Sequence, residues 1–304
     1  MAISRAQLVK ELEPGLNALF GLEYKRYENQ HAEIYTTESS DRAFEEEVML
    51  SGFANANVKV EGSGVSYDEA QETYTARYTH DTIALAFSIT EEAIEDNLYD
   101  RLASRYTKAL ARSMSNAKQV KAVTPLIQGL PSTDNYDSGD AVSLFSTNHS
   151  TVSGTAVKNT LTTQADLNET SLEQALIDIA GMTDERGLRV AAKGTKMIIP
   201  SANQFAAERL LKSPGRTGTA DNDINAVVSM GMVPQGYRVN NFLTDTDSWY
   251  IITDVPNGMK MFQRAALKTA MEGDFDTGNV RYKARERYSF GVSDYRGIFG
   301  VEGA

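Results

Sequence analysis

Cysteine is absent from the 304 residues, which excludes a disulfide framework, a thiolate nucleophile and a zinc–thiolate site. Histidine is nearly absent. His31, His80 and His149 are isolated in sequence and no HExxH spacing exists, so neither a zinc site nor an imidazole base has a recognisable frame. Long apolar runs are missing too. None approaches the roughly 18 residues of a membrane span, and Glu11 and Glu13 stand where a signal peptide needs an apolar stretch. The expectation is a cytoplasmic chain without membrane contact. Positive charge is in deficit: 30 Lys and Arg face 41 Asp and Glu, a net of −11, which weighs against binding DNA through overall charge.

Catalytic loops are also lacking. Gly62, Ser63 and Gly64 open no helix and have no third glycine at phosphate-loop spacing. Asp221, Asp223 and Asn225 imitate the start of a calcium loop, but Ala226 stands where glycine should turn and Met232 where a bidentate glutamate should sit. There is no GxSxG elbow. Glu91 and Glu92 fit a helix start better than acid–base catalysis. No enzyme activity, cofactor or metal is expected.

What is present is globular. Hydrophobic residues make up 41% and charged residues 23%, which argues against a disordered or fibrous chain. The length suits two domains or one large one, burying about 75% of the unfolded surface. Charge is unevenly placed: residues 1–100 carry 7 Lys and Arg against 20 Asp and Glu, net −13, and residues 101–304 carry 23 against 21, net +2. The acidity belongs to the first third.

Periodicity then gives the order of parts. Leu8, Leu12, Leu16 and Leu19 predict a short amphipathic helix over residues 4–20, weakened by Pro14 and Gly15. Residues 21–47 are polar and read as an extended arm. Residues 48–53 and 73–89 predict a long two-stranded ribbon, which needs something else to lie on. Residues 90–123 predict a very long helix with Thr90 as cap, acidic residues first and basic residues later. Ile94, Leu98, Leu102, Tyr106, Leu110, Met114 and Ala117 form its stripe, and Pro125 marks its exit. Residues 129–170 read as loops. A second helix opens on a Thr170–Glu173 capping box and ends near Gly187, with Leu172, Leu176, Ile179 and Met182 inward. A strand at 195–199 and a helix carrying Phe205, Leu210 and Leu211 follow, and residues 212–225 form a loop. Strands are predicted at 237–243, 249–255 and 259–264, with Pro256, Asn257 and Gly258 as a hairpin turn, and a closing strand at 280–292. There is no internal repeat.

That order, together with AFSITEE at 86–92, LFSTNH at 144–149 with Asn159 downstream, MIIP at 197–200, LTDTDSWY at 243–250 and RERYSFGVSDYRG at 285–297, resembles the major capsid proteins of tailed bacteriophages. These have the Hong Kong ninety-seven type fold, and phage Mu-like head subunits are the group most resembled. The resemblance covers essentially the whole chain. It implies an α+β phage capsid fold: N-arm at 1–47, E-loop ribbon at 48–89, spine helix and P-domain at 90–186, mainly A-domain at 187–255, and a return to the P-domain at 256–304. It implies self-assembly into hexamers and pentamers of an icosahedral shell, built in the bacterial host cytoplasm around a double-stranded DNA genome without sequence-specific binding. A portal and decoration proteins are the further partners. Some members carry a charged scaffolding segment before the arm; here the arm starts almost at Met1, implying separate scaffolding protein or a processed form. Lys59 lies near the expected E-loop tip, as a solvated or a crosslinking lysine.

One arrangement suggests how subunits meet. Arg281, Lys283, Arg285 and Arg287 alternate and share one strand face, opposite Tyr282, Ala284 and Tyr288. This row, or the basic end of the long helix, is expected to receive the acidic arm or ribbon of a neighbour, with Glu45, Glu46, Glu47, Glu61, Asp68 and Glu69 as candidates. The competing reading is a solvated strand face. Other classes remain open: an encapsulin-like nanocompartment shell, a soluble α/β enzyme, or a phage tail subunit.

Overall fold

The computed structural model describes residues 5–90, 92–93, 99–216, 223–274 and 278–304. Helix α1 (Arg5–Arg26) runs past the expected end at Phe20. Local propensity is overridden there by packing, since Leu16 and Phe20 bury against the long helix and a strand in one core cluster. Lys25 and Arg26 close its last turn, where cations suit the helix dipole. The side chains of Leu8 and Leu12 lie outside the described residues.

The polar stretch after α1 is stitched down. A 3-10 turn spans Gln30–Glu33, followed by strands β1 (Thr36–Ser39) and β2 (Phe44–Leu50). His31 N–H donates to Gln119 Oε1 at 2.9 Å, and the Tyr35 hydroxyl donates to the Ala122 carbonyl at 2.6 Å. The expected second ribbon strand is two strands, β3 (Glu72–Thr79) and β4 (Asp81–Ile89), in different sheets. The break is at His80, whose buried ring bonds Ser40 and Ser289, both at 3.0 Å.

Helix α2 (Tyr99–Gln128) is about 45 Å long at 1.5 Å per residue. The hydroxyl of Thr90 accepts from Ala93 N–H at 3.4 Å, as a cap does; Glu91, Glu95 and Asp96, and the side chains of Ile94, Leu98 and Leu102, lie outside the described residues. Leu110 and Met114 are buried as expected, whereas Tyr106 is half exposed beside Phe87. Pro125 lies inside the helix. So near the C-terminal end its missing N–H removes one bond without stopping the last turn, and Gly129 N–H still reaches the Pro125 carbonyl at 3.1 Å.

Two short strands, β5 (His149–Ser150) and β6 (Ala156–Val157), precede α3 (Glu169–Gly181). Its cap is Asn168 paired with Ser171, displacing the expected Thr170–Glu173 box, and it ends before Gly187, which turns a loop at φ 84°. Next come β7 (Gly194–Ile199), α4 (Gln204–Lys212), α5 (Ala226–Ser229), β8 (Tyr237–Val239) and β9 (Trp249–Thr253). Asn225 caps α5 through Val227 N–H, which gives this member of the calcium-like triplet a structural role; Asp221 lies outside the described residues. Phe205 points to solvent at 69% exposure, leaving Leu210 as the buried anchor of α4.

The chain closes with β10 (Met259–Gly273), β11 (Val280–Val292) and β12 (Ile298–Val301). One sheet has order β1-β10-β11-β4 and the other β12-β9-β7-β8, while β2 and β3 form a separate hairpin. Pro256, Asn257 and Gly258 therefore carry the chain from one sheet to the other, and no hairpin forms there. In this turn Gly258 lies against Gly297: a Cβ on Gly258 would meet Gly297 Cα at 2.8 Å, backbone on backbone. Substituting Gly297→Ala is expected to cost at least about 2 kcal/mol, because neither partner has a rotamer to move. A urea midpoint unchanged from wild type would contradict this.

Candidate assembly interface

Residues 51–71 leave the β2–β3 hairpin as a long loop. Its base is closed by Ser51 N–H to the Gln71 carbonyl at 2.9 Å and by Gln71 N–H to Ser51 Oγ at 3.0 Å. Halfway up, Asp68 accepts from Ala54 N–H at 2.7 Å, and this bond is the main cause holding its carboxyl below the usual carboxylate range. At the tip Gly62 turns at φ 81°, and Ser63 N–H donates to the Val60 carbonyl at 3.1 Å. Apolar side chains stand out along it: Phe53, Val58, Val60, Val65 and Tyr67 are between 61% and 97% exposed. A folded monomer gains nothing from such a row in water. Lys59, Glu61 and Glu69 are exposed on the same loop.

The basic row is real as geometry. Arg281, Lys283 and Arg285 are exposed and Arg287 is half-buried, while Tyr282, Ala284, Glu286 and Tyr288 face the core. Across the strand pairs, Arg281, Lys283, Arg285 and Arg287 lie beside the small Ser88, Ala86, Ala84 and Thr82 of β4 on one side, and beside Glu272, Ala270, Lys268 and Ala265 of β10 on the other. Arg281 pairs with Asp274, and Arg287 donates to the Ala43 carbonyl at 3.5 Å. Lys283 and Arg285 have no ion-pair partner among the described residues. A shallow depression of about 590 Å³ adjoins the row, lined by Ala86, Met271, Arg281 and Lys283 together with the carboxylates of Glu272 and Asp274.

The expected acidic partners divide into two sets. Glu45 bonds Ser40 at 2.6 Å, Glu46 lies 3.6 Å from Arg77, and Glu47 pairs with Lys260 at 2.5 Å, so these three are engaged within the chain. Glu61, Asp68 and Glu69 ride on the loop. Arg186 reaches the loop base, 3.8 Å from Asp68 and bonded to the Glu69 carbonyl. Among the described residues no ion pair joins Glu61, Asp68 or Glu69 to the basic row.

Sequence reasoning missed the buried polar network that holds the body rigid behind this surface. Arg296, 3% exposed, donates to Glu185 at 2.6 Å, to Asp294 at 3.2 Å and to the Thr183 carbonyl at 2.8 Å. Burial pushes the Asp294 carboxyl up, and the Arg296 charge pulls it back. His149 stacks on Tyr295 at 3.8 Å and bonds Asp140 at 2.7 Å and Asn159 at 3.1 Å. Beneath β11, fully buried Glu286 meets Lys118 and the Tyr24 hydroxyl, each at 3.4 Å, and burial raises its carboxyl. Burial, helped by the Lys118 charge, drives His31 down to about 4. The LFSTNH stretch with downstream Asn159, and RERYSFGVSDYRG at 285–297, contain its residues, but neither shows that they are buried together. Among the described residues no three His, Cys, Asp or Glu side chains cluster to hold a metal, and no described helix is long and apolar enough to cross a membrane.

The described surface thus carries an exposed apolar loop and a basic strand face whose Lys283 and Arg285 have no ion-pair partner among the described residues. The sequence model of the family described as "Phage capsid protein" matches residues 73–301. The chain belongs to the phage capsid protein family. It is a phage capsid subunit. No curated protein matches by sequence. Solved structures share the fold at low identity. The virus-like particle from Pyrococcus furiosus is 11% identical over 94% of this chain and 98% of that one, with a TM-score of 0.55. The capsid of an empty GTA particle is 13% identical over 90% and 89%, at 0.58. The procapsid of bacteriophage JBD30 is 13% identical over 99% and 77%, at 0.55. This capsid subunit therefore has the α+β Hong Kong ninety-seven type fold, with α2 as its long helix.

Proposed function

We propose that this head protein closes its shell through a heterologous contact between the loop of residues 52–70 on one subunit and the basic outer face of β11 on the next. Repetition of that contact runs around hexamers and pentamers. The observation that carries the reading is the loop: five large apolar side chains 61–97% exposed, none in a core cluster. Its net charge supports the choice of partner surface, since Lys59 is outnumbered by Glu61, Asp68 and Glu69. In this reading residues 1–47 act as the N-arm, 48–89 as the E-loop region, 90–186 as spine helix and P-domain, 187–255 mainly as A-domain and 256–304 as the return to the P-domain.

The order of the motifs at 86–92, 144–149 and 285–297 supports a place near phage Mu-like head subunits. Assembly then takes place in the bacterial host cytoplasm, with scaffolding, a portal and decoration proteins as partners and double-stranded genomic DNA as content.

Changing Arg281, Arg285 and Arg287 together to Glu sets like charge against the loop. Each exposed pair contributes only about 0 to 1 kcal/mol, but the contact recurs at every subunit. The variant is expected to give folded subunits by circular dichroism and no shells by negative-stain microscopy. Normal particles from it would sink the proposal.

A further inference from the structure

The side of α2 turned away from the β10–β11 sheet carries a second basic surface. Arg105, Lys108 and Arg112 are exposed there, and with Ala109, Ser113 and Asn116 they line a groove of about 510 Å³. Among the described residues no acidic side chain lines it. Arg105 and Lys108 have no ion-pair partner among the described residues. Arg112 gives Nε–H to the Tyr27 hydroxyl at 3.0 Å, and that hydroxyl donates to Glu23 at 3.2 Å; these two bonds aim the guanidinium and leave its outer N–H groups open. At 1.5 Å per residue the three cations span about 10 Å of helix.

We propose that this groove binds the phosphate backbone of double-stranded DNA, without base specificity, and that it faces the genome inside the head. The proposal rests on the head reading and names the surface that meets its DNA content. Chemistry selects the polyphosphate over an acidic protein segment. The tightest protein contacts are built on buried aromatic or aliphatic anchors, and among the described lining residues Ala109 is the only apolar one. A phosphate backbone needs no anchor, because release of its condensed counterions drives binding to cations that stay wet. Charges beyond about 10 Å are screened, so the net charge of −11 does not by itself oppose this; the nearby acidic charge is Glu23 of α1, which lies behind the Tyr27 hydroxyl on the Arg112 side.

The test uses unassembled full-length subunit and a fluorescent 30-base-pair duplex of random sequence. Three phosphate contacts predict that log affinity falls with log salt at a slope of about −2.7, or roughly 40-fold between 50 and 200 mM. The triple variant R105Q, K108Q and R112Q is expected to lose most of that slope and at least ~10-fold in affinity, while R281Q with K283Q and R285Q keeps both. The reverse pattern overturns the proposal. So does equal competition by poly-glutamate at matched charge, which would mark the groove as a site for an acidic protein. Microscopy of the same preparations after assembly separates the two levels. If wild type forms shells and the groove variant forms none, the groove is a subunit contact and the proposal falls. If wild type itself forms none, the head reading falls whatever the duplex does.

Discussion

Deleting residues 52–70 and joining Ser51 to Gln71 through an Asn-Gly turn is expected to abolish shell formation and leave the subunit folded. The strand ends at Ser51 and Gln71 already face each other at 2.9 Å, and a two-residue Asn-Gly loop matches the twist of such a pair. None of the removed residues belongs to a core cluster, so subunit stability should change by no more than about 0.5 kcal/mol. The assembly effect is far larger. Burying Phe53, Val58, Val60, Val65 and Tyr67 against a neighbour is worth on the order of 7 to 15 kcal/mol gross, at about 1.5 to 3 kcal/mol per side chain. The ionic pairs add about 0 to 1 kcal/mol each. Apolar burial thus supplies the affinity and the charges the register, and the deletion should act more strongly than the charge reversal. Sedimentation and negative-stain microscopy read the outcome: closed shells from the deletion variant would show that the loop is dispensable.

Arg296→Met should produce the largest loss of subunit stability from a side chain outside any apolar cluster. The substitution keeps the volume and strands Glu185 and Asp294 as buried carboxylates without their cation. Breaking a buried pair this way costs about 3 to 5 kcal/mol, or roughly 6 to 15 °C in Tm for a chain of this size. Arg296→Lys should recover little, because one ammonium cannot reproduce the fork that reaches Glu185, Asp294 and the Thr183 carbonyl. The deficit should shrink on acidification. Asp294 is already raised by burial, and without Arg296 it rises further. A carboxyl raised in the folded state gives stability below its unfolded pKa that is lost as pH rises through the folded one. The variant is therefore expected to sit closest to wild type in mild acid and furthest from it at neutral pH. A Tm within 2 °C of wild type at neutral pH would refute the role given to Arg296.

Much of the surface was legible along the chain because alternation is a local property. Arg281, Lys283, Arg285 and Arg287 fall on one face of β11 as period two requires, and the exposed apolar loop was visible as a break between strand-like runs. Strand partnership was not legible. Residues 73–89 look continuous until His80 bonds Ser40 and Ser289, residues 40 and 209 positions away, and divides the run between two sheets. Pro256, Asn257 and Gly258 have hairpin chemistry, yet they link sheets, because Gly258 is pressed on Gly297. Phe205 fits an inward stripe by type but faces solvent, since Ala207 and Leu210 already fill the buried side of α4.

By itself the sequence determined the long helix, the basic strand face, the acidity of the first hundred residues and the lack of cysteine and of phosphate-loop and HExxH motifs. Each follows from composition or from a spacing of two to four residues. Tertiary structure alone decided which carboxylates are free. Glu45, Glu46 and Glu47 look available in sequence and are engaged by Ser40, Arg77 and Lys260, while Tyr24 meets Glu286 across 262 positions. A charge's partner is set by distance in space, and spacing along the chain carries no information about residues that far apart. For the same reason it took the fold to show that Lys283 and Arg285 of β11 and Arg105 and Lys108 of α2 have no ion-pair partner among the described residues.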